Sequence, residues 1–282
     1  MYKGLDNFSG EQLKMALDAR MLSATTLSEI SGISNSMISE IINENRNPSF
    51  ETLSKLSDAL NLPEVFFLKK FDTNKNQVFY RKYSSATKKL RSSIDIKLIW
   101  LETIITFLER FVSFPAFNMY EPKQIKNKEF TSFSFDEIEE IAGDLRAYWG
   151  VGEGVISNLT LLLENNGFFI TRTEIGSDRL DGLFKFNGHN NRAIIFLAKD
   201  KNSIVRSKFD LAHELGHAIL HRNIDSKYYK INEFHDLLEE QVNRFAGAFL
   251  LPSNSFTRDF TVPTLDTFLA LKRKWNVSIA FM

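Results

Sequence analysis

Cysteine is absent from all 282 residues of the sequence. Without thiols the chain can form no disulfide bond, can bind no zinc ion through thiolates and has no cysteine nucleophile. Such a composition is typical of proteins that fold in a reducing compartment. We therefore predict a cytoplasmic protein.

The sequence also lacks a net charge and a long apolar run. Its 35 basic and 35 acidic side chains cancel, so charge alone indicates no global preference for nucleic acid or membrane. The most apolar region, residues 98–112, is interrupted by Glu102, Glu109 and Arg110, which argues against a bilayer-spanning helix. The first six residues contain no apolar signal core. We predict no membrane partner.

A histidine pair lies in the stretch from Ser207 to His221. His213 and His217 enclose Glu214 in the pattern H-E-x-x-H, and residues i and i+4 of a helix share a face. The two imidazoles can therefore reach one metal ion, while Glu214 is placed to take a proton from metal-bound water. The surrounding residues are mostly apolar, so polar groups buried here need partners. The alternative is a core helix whose histidines are only hydrogen-bonded.

A catalytic zinc site usually takes a third protein ligand, and a helix predicted over residues 237–250 offers the best candidate. Glu239 lies three residues before Val242, on the apolar side of this helix, whereas Glu240 falls further toward solvent. We prefer Glu239 and keep Glu240 as its rival. Asn243 follows Glu239 by one turn, and its amide is predicted to hold one of the metal ligands in place.

Three other histidines are weaker candidates as ligands. His221 continues the series after His217, but it lies about 6 Å further along the helix axis and cannot join both other histidines on one ion. We predict that His221 either ends the helix or supports the site from outside the ligand set. His235 precedes the helix predicted over residues 237–250. His189 lies in a predicted turn between strands, where we expect it to be exposed.

Short capped helices are predicted over residues 10–68. Ser23 and Ser34 are placed to cap the second and third helices, with a tight turn around Gly32 between them. The pattern resembles the XRE/Cro family of DNA-binding domains, and the matching pieces are Leu27–Ser34, Ile38, Asn47–Ser49 and Leu53–Leu62. The resemblance implies that the third helix enters the major groove and contacts DNA through Asn35, Ser36, Ser39 and Asn43.

Charge is unevenly distributed along the first hundred residues. Residues 1–68 carry five basic and nine acidic side chains, a net charge of −4, which predicts weak DNA binding because phosphate attraction usually dominates affinity. The helix-turn-helix could instead serve protein contacts only. Residues 69–97 carry nine basic and two acidic side chains, a net charge of +7. This segment either supplies the missing phosphate contacts or forms a solvated helix face.

The second half of the sequence predicts helices, then a small sheet, then the H-E-x-x-H helix. Ser134 and Glu137 form a capping box before one helix. Strand-like runs are predicted over residues 168–175, 183–187 and 193–198. This order is typical of an α+β fold. We predict a helix-turn-helix domain in residues 1–70, a basic linker and helical connector in 71–125, and a zincin-like domain in 126–282.

Several segments of the second half form a longer pattern around the histidine pair. They are residues 138–149, 161–167, 206–221, Glu239 with Asn243, 250–252 and 271–278. The pattern resembles the ImmA/IrrE family of metallopeptidases. The resemblance implies a zinc endopeptidase of the gluzincin type, with zinc bound by His213, His217 and Glu239 and with Glu214 catalytic. It also implies limited proteolysis of a DNA-binding repressor, in mobile-element induction or stress responses.

The expected substrate is an extended linker of another helix-turn-helix repressor, because a protease cleft needs locally unfolded chain. We predict that residues 192–198 form an edge strand that pairs with this peptide. A homodimer is compatible with the sequence. The alternative function is a helix-turn-helix transcription regulator, or antitoxin-like binder, whose zincin-like domain is inactive.

Overall fold

The computed structural model describes residues 5–68, 87–125, 130, 132–174, 181–188, 190–199, 204–225 and 227–282. These residues form two compact units, the first comprising 5–68 with 87–113 and the second comprising 114–282. Each unit has its own apolar core. Residues 69–86 of the basic segment, including the predicted linker, lie outside the described residues, and so does His189.

The described part of the first unit is helical. Its helices are α1 (Gly10–Arg20), α2 (Ala24–Ser31), α3 (Asn35–Ile42), α4 (Phe50–Leu60), α5 (Glu64–Leu68) and α6 (Lys88–Leu108). Ser23 and Ser34 each accept a hydrogen bond from the backbone N–H three residues on, which confirms both predicted caps. Gly32 ends α2 at a φ of 69°, a left-handed conformation that glycine adopts without strain.

Helix α6 packs against α1 and so belongs to the first unit. Its buried side chains recur at helical spacing, as at Leu90, Ile94 and Leu98, and this apolar face needs a partner. The Ser93 hydroxyl donates a buried hydrogen bond of 2.7 Å to the Ala19 carbonyl of α1. The connector predicted over residues 71–125 is therefore divided, because α6 joins the first unit and the residues from Phe114 onward join the second.

The second unit combines helices with one small sheet. Its elements are α7 (Phe135–Tyr148), α8 (Leu159–Asn165), β1 (Phe168–Thr173), β2 (Gly182–Asn187), β3 (Arg192–Ala198), α9 (Ile204–Leu220), α10 (Asn232–Leu250), α11 (Ser253–Asp259) and α12 (Leu265–Trp275). The capping box of Ser134 and Glu137 is confirmed. The α+β prediction is confirmed as well. No described helix has the length and apolar character needed to cross a bilayer.

The sheet has the order β1–β3–β2, with β1 parallel to β3 and β2 antiparallel to it. The prediction that residues 192–198 form an edge strand is wrong, because β3 is the central strand and pairs on both sides. Its consecutive residues from Arg192 to Leu197 are all buried, as expected for a strand covered on both faces. Among the described residues, β2 pairs only with β3, so its other side is an edge of the sheet.

Helices α9 and α10 pack closely together in the core of the second unit. The two helices lie close together at Gly216, where a Cβ atom would lie 3.0 Å from Phe245 Cδ1 and 3.2 Å from Val242 Cβ. The glycine within the H-E-x-x-H pattern therefore lets α10 approach the part of α9 that carries His213 and His217. This approach brings residues distant in sequence into one site.

Buried cations fix the ends of the helices around this core. Arg146 of α7 donates hydrogen bonds to the carbonyl groups of Gly152, Gly154 and Phe249. Burial lowers the pKa of Arg146 to about 10, so the guanidinium remains charged at neutral pH. Lys208 of α9 donates a 3.1 Å hydrogen bond to the Trp275 carbonyl at the end of α12. Hydrogen bonds thus connect α10 to α7, through the Phe249 carbonyl and Arg146, and α9 to the end of α12, through Lys208.

Candidate metal centre

Helix α9 carries His213, Glu214 and His217, and all three side chains are buried or nearly so. A neighbouring helix, α10, carries Glu239, whose side chain is about one-fifth exposed. The sequence periodicity of both helices explains these positions, since each residue lies next to the apolar stripe of its helix. Two histidines and one carboxylate thereby face each other across the contact between α9 and α10.

The distances within this group suit a shared metal ion. His213 Nε2 lies 3.4 Å from Glu239 Oε2, and His217 Nε2 lies 3.5 Å from Glu239 Oε1. One ligand atom from each residue can be chosen so that all three lie within 4.8 Å of one another. Two ligands at 2.0–2.1 Å from a tetrahedral zinc ion are separated by about 3.3 Å. The two histidine–glutamate separations therefore fit zinc, and three protein ligands would leave a fourth position open for water or substrate.

Each histidine is also held through its other ring nitrogen. His213 Nδ1 lies 3.0 Å from Asn243 Oδ1, and His217 Nδ1 lies 3.2 Å from His221 Nδ1. His221 in turn places its Nε2 atom 2.9 Å from Gln241 Oε1. Contacts of this kind orient a metal-binding imidazole before the ion arrives. They leave the Nε2 atoms of His213 and His217 directed toward Glu239.

Glu214 lies beside the sheet edge and is 2% exposed. Gly182, the first residue of β2, lies close to it, because a Cβ atom there would be only 2.9 Å from Glu214 Oε1. Glycine at this position therefore makes room for the glutamate carboxylate. Helix α9 packs against β2, so the Glu214 side chain and the start of the edge strand are neighbours.

The structure separates the rival candidate ligands from this group. Glu240 is exposed on α10, as its position relative to Glu239 predicts. His221 is fully buried and contacts His217, but it is not a member of the three-residue group. His235 lies 3.7 Å from the Asp236 carboxylate near the start of α10. The role of Glu239 as third ligand stays a proposal, but geometry favours it over these rivals.

The four residues predicted to contact DNA all lie on one exposed helix or at its end. Asn35, Ser36 and Ser39 are exposed on α3, and Asn43 is its exposed C-cap. Beneath them, Ile38 and Ile41 are fully buried in the core of the first unit. The helix therefore presents a polar surface on a fixed apolar base, and DNA contact by these residues stays a prediction.

Sequence reasoning missed two residues of the site, Gln241 and Gly182. Gln241 is 1% exposed, and its position three residues after Leu238 and four before Phe245 already places it on the buried face of α10. A polar residue on such a face needs a hydrogen-bond partner, which was the available signal. Gly182 gave no local signal, because its role depends on the packing of β2 against α9.

Comparison with protein families supports both halves of this architecture. Residues 164–282 match the peptidase M78 family, described as the IrrE N-terminal-like domain, and residues 13–67 match a helix-turn-helix family. No curated protein matched the chain. The matches confirm the two resemblances found in the sequence. Residues 13–67 are thus similar to a helix-turn-helix family and residues 164–282 to a peptidase family, and the group of His213, His217 and Glu239 lies within the second match.

Proposed function

We propose that this protein is a zinc-dependent endopeptidase that acts in the cytoplasm and regulates transcription by limited proteolysis. The observation that carries the proposal is the grouping of His213, His217 and Glu239, with Glu214 next to His213 on helix α9. Zinc is favoured over harder cations because two of the three donors are imidazole nitrogens. The match to a peptidase family supports the class of reaction, and the absence of cysteine supports the compartment.

The proposed mechanism assigns separate tasks to the metal ligands and to Glu214. When bound, zinc supplies Lewis-acid chemistry that polarises the scissile carbonyl group and acidifies a water molecule. Glu214 takes the proton from the attacking water and delivers it to the leaving amine. Burial of Glu214 next to Gly182 restricts the carboxylate to the side of the site that faces β2.

Substrate binding is proposed at the edge strand β2, in place of the central strand β3. An extended peptide can add to an unpaired strand edge through main-chain hydrogen bonds. Strand β2 begins at Gly182, beside Glu214, so a peptide on this edge would pass close to the proposed proton carrier. We propose that the peptide is an interdomain linker of a helix-turn-helix repressor, because linkers supply locally unfolded chain.

The test compares the wild-type protein with the variant Glu214→Gln. Both proteins are expected to retain one zinc ion by elemental analysis, and only the wild type should cleave a repressor encoded beside its gene. Casein serves as a generic unfolded substrate and should be cleaved poorly. Absence of zinc from both proteins after metal-replete purification would contradict the proposal. Rapid casein cleavage with an intact repressor would contradict the substrate assignment alone.

We also propose that DNA binding is weak for one copy and that the protein acts as a homodimer. Five large apolar side chains form a stripe at and just beyond the C-terminal end of α6, each between 39 and 71% exposed: Ile104, Phe107, Leu108, Phe111 and Val112. Their helical spacing puts them on one face, with roughly 400 Å² of apolar surface. Two such stripes would bury about 800 Å², and a polar rim would bring the total near the lower range of specific interfaces.

A second copy suits this stripe because α6 is fixed to the unit that carries α3. Pairing two copies would double the phosphate and base contacts available to the acidic first domain. Sedimentation of the wild type is expected to give a dimer and that of Phe111→Glu a monomer. A monomeric wild type at micromolar concentration would contradict the homodimer.

A further inference from the structure

We propose that Gln241 is a positioning residue that determines which nitrogen of His217 is available to the metal, acting through His221. The inference rests on the proposed function, since it concerns the same site. The three side chains form a chain of contacts: His217 Nδ1 to His221 Nδ1 at 3.2 Å, then His221 Nε2 to Gln241 Oε1 at 2.9 Å. All three are at most 3% exposed.

The hydrogen-bond roles along this chain are linked. The two facing Nδ1 atoms can form a hydrogen bond only if one of them carries the proton. With the carbonyl oxygen of Gln241 toward His221, the His221 Nε2 atom donates, so in the neutral ring its Nδ1 atom accepts. His217 must then donate from Nδ1, and its Nε2 lone pair is left toward Glu239 for a metal ion.

Rotation of the Gln241 amide by half a turn reverses every link. The amide nitrogen would then donate to His221 Nε2, His221 would donate from Nδ1, and His217 would carry its proton on Nε2. That proton occupies the lone pair that a metal ion requires. The orientation of the Gln241 amide, with its oxygen toward His221, therefore corresponds to the arrangement that binds metal, although Gln241 is not itself a ligand.

His213 and His217 differ in how far the residues that orient their rings are buried. His213 is oriented by Asn243, an exposed residue, so water can replace the amide if that residue is removed. The chain behind His217 is buried throughout, so a missing partner there is replaced with difficulty. Removal of the Gln241 amide is expected to cost more metal affinity than removal of the Asn243 amide.

The experiment measures zinc affinity by competition with a chelator for the wild type, Gln241→Met, Gln241→Glu and Asn243→Leu. Gln241→Met keeps the volume but removes the acceptor, and it should bind zinc about 10- to 100-fold more weakly. Gln241→Glu keeps an acceptor toward His221 and should stay within about threefold of the wild type. Asn243→Leu, the matched control, should lose less than Gln241→Met.

A purely structural role for Gln241 predicts the opposite order. Methionine packs well in an apolar core, whereas a buried carboxylate disturbs it, so Gln241→Glu would then be the weaker zinc binder. Equal affinities of Gln241→Met and the wild type, or a greater loss in Gln241→Glu, would overturn the proposal. Thermal unfolding of each variant without metal separates loss of fold from loss of orientation.

A second measurement keeps this proposal separate from the zinc endopeptidase proposal. Nitrogen-15 NMR of the metal-free protein reports which ring nitrogen of His217 carries the proton. We expect the proton on Nδ1 in the wild type and in Gln241→Glu, and a mixture of tautomers in Gln241→Met. An unchanged His217 tautomer in Gln241→Met would overturn the inference. Failure of the wild type to bind zinc would overturn the proposed function but leave this tautomer measurement valid.

Discussion

The α3 surface and the histidine–glutamate group place their polar residues in opposite environments. Asn35, Ser36 and Ser39 are exposed, whereas His213 and His217 are buried or nearly so and each is held by a second side chain. A DNA-reading helix must leave its side chains accessible to base edges in a groove. A metal site must fix its donors before the ion arrives. Substitutions at the two places should therefore have different consequences.

The largest effect, on zinc affinity, is expected when a proposed metal ligand is removed from the histidine–glutamate group. Glu239→Ala should weaken zinc binding by more than about 100-fold, which exceeds the range typical of residues that only orient a ligand. Glu240→Ala, one position along the same helix, is the matched control and should bind zinc like the wild type, because Glu240 is exposed. A chelator competition titration that ranks Glu240→Ala or His221→Ala below Glu239→Ala in zinc affinity would contradict the assignment of Glu239 as the third ligand.

A smaller effect, on peptidase activity, is expected from a substitution that crowds Glu214 but leaves the proposed metal ligands unchanged. In Gly182→Ala the new Cβ atom would approach Glu214 Oε1 to 2.9 Å, so the carboxylate must move. We expect peptidase activity to fall about 10- to 100-fold, since small displacements of a catalytic group are costly. Zinc affinity should be unchanged.

The matched control for this strand is Gly188→Ala, just beyond the other end of β2. There a Cβ atom meets only Phe186 Cε1, at 3.8 Å, so no group has to move. Kinetic assay of both variants against the same peptide tests the prediction. Equal activity in Gly182→Ala and Gly188→Ala would contradict the assigned position of Glu214.

Substitution of exposed basic residues in the first unit should mainly change the salt dependence of DNA binding. Lys88, Lys89 and Arg91 are exposed in the first turn of α6. Changing all three to glutamine should weaken DNA binding and reduce the slope of log affinity against log salt by up to about 0.9 for each phosphate that the protein no longer neutralises. The free energy of unfolding should change little, because the side chains are exposed.

This substitution is a better test than shortening the chain. A fragment ending at residue 68 would lose α6, and with it the packing against α1 and the Ser93 hydrogen bond. Its weaker DNA binding would then combine the effect of the missing charges with that of a less stable fold. Electrophoretic or anisotropy titrations at several salt concentrations decide the question, and an unchanged slope in the triple variant would contradict the phosphate role of these residues.

The smallest effect is expected at an ion pair outside both functional regions, between Asp259 and Lys274. Asp259 accepts a hydrogen bond of 2.6 Å from Lys274, which together with the Trp275 indole N–H holds the pKa of Asp259 below its ordinary value of 3.8. A carboxyl group whose pKa is lower in the folded state stabilises the fold above its unfolded pKa, and this stabilisation is lost as pH falls through the folded value.

The melting temperature of Asp259→Asn should accordingly lie slightly below that of the wild type at neutral pH. The difference should shrink as pH falls from about 4 toward 2. Lys274→Met removes the main cause of the pKa shift and should show a similarly small loss at neutral pH. Calorimetric scans across this range give the measurement, and a difference that grows on acidification would contradict the stated cause.

Much of this structure could be predicted from local sequence patterns. The remaining features depend on packing between segments that are distant in sequence. The spacing of His213, Glu214 and His217 and the periodicity around Glu239 placed these residues correctly on their helices, because helical faces follow from sequence alone. The capping serines were equally local. Asn243 and His221, which contact the two histidines, also followed from helical spacing, whereas the proximity of Gly182 to Glu214 did not.

The order of the sheet shows why. Strand β3 is apolar over its whole length, which signals burial on both faces, but nothing in its sequence states which strands lie beside it. Pairing partners depend on the whole topology, and the edge-strand prediction failed for this reason. The packing of α6 on α1 and the proximity of Gly182 to Glu214 are also relations between distant segments.

The donors of the proposed site come from two different helices, and this has a thermodynamic consequence. An ion held by His217 of α9 and Glu239 of α10 cross-links the chain between these positions, in addition to the close contact at Gly216. Such a cross-link opposes separation of the helices, because an unfolded chain would have to give up the bound ion. The melting temperature of the second unit should therefore rise with the concentration of free zinc, by an amount fixed by the dissociation constant.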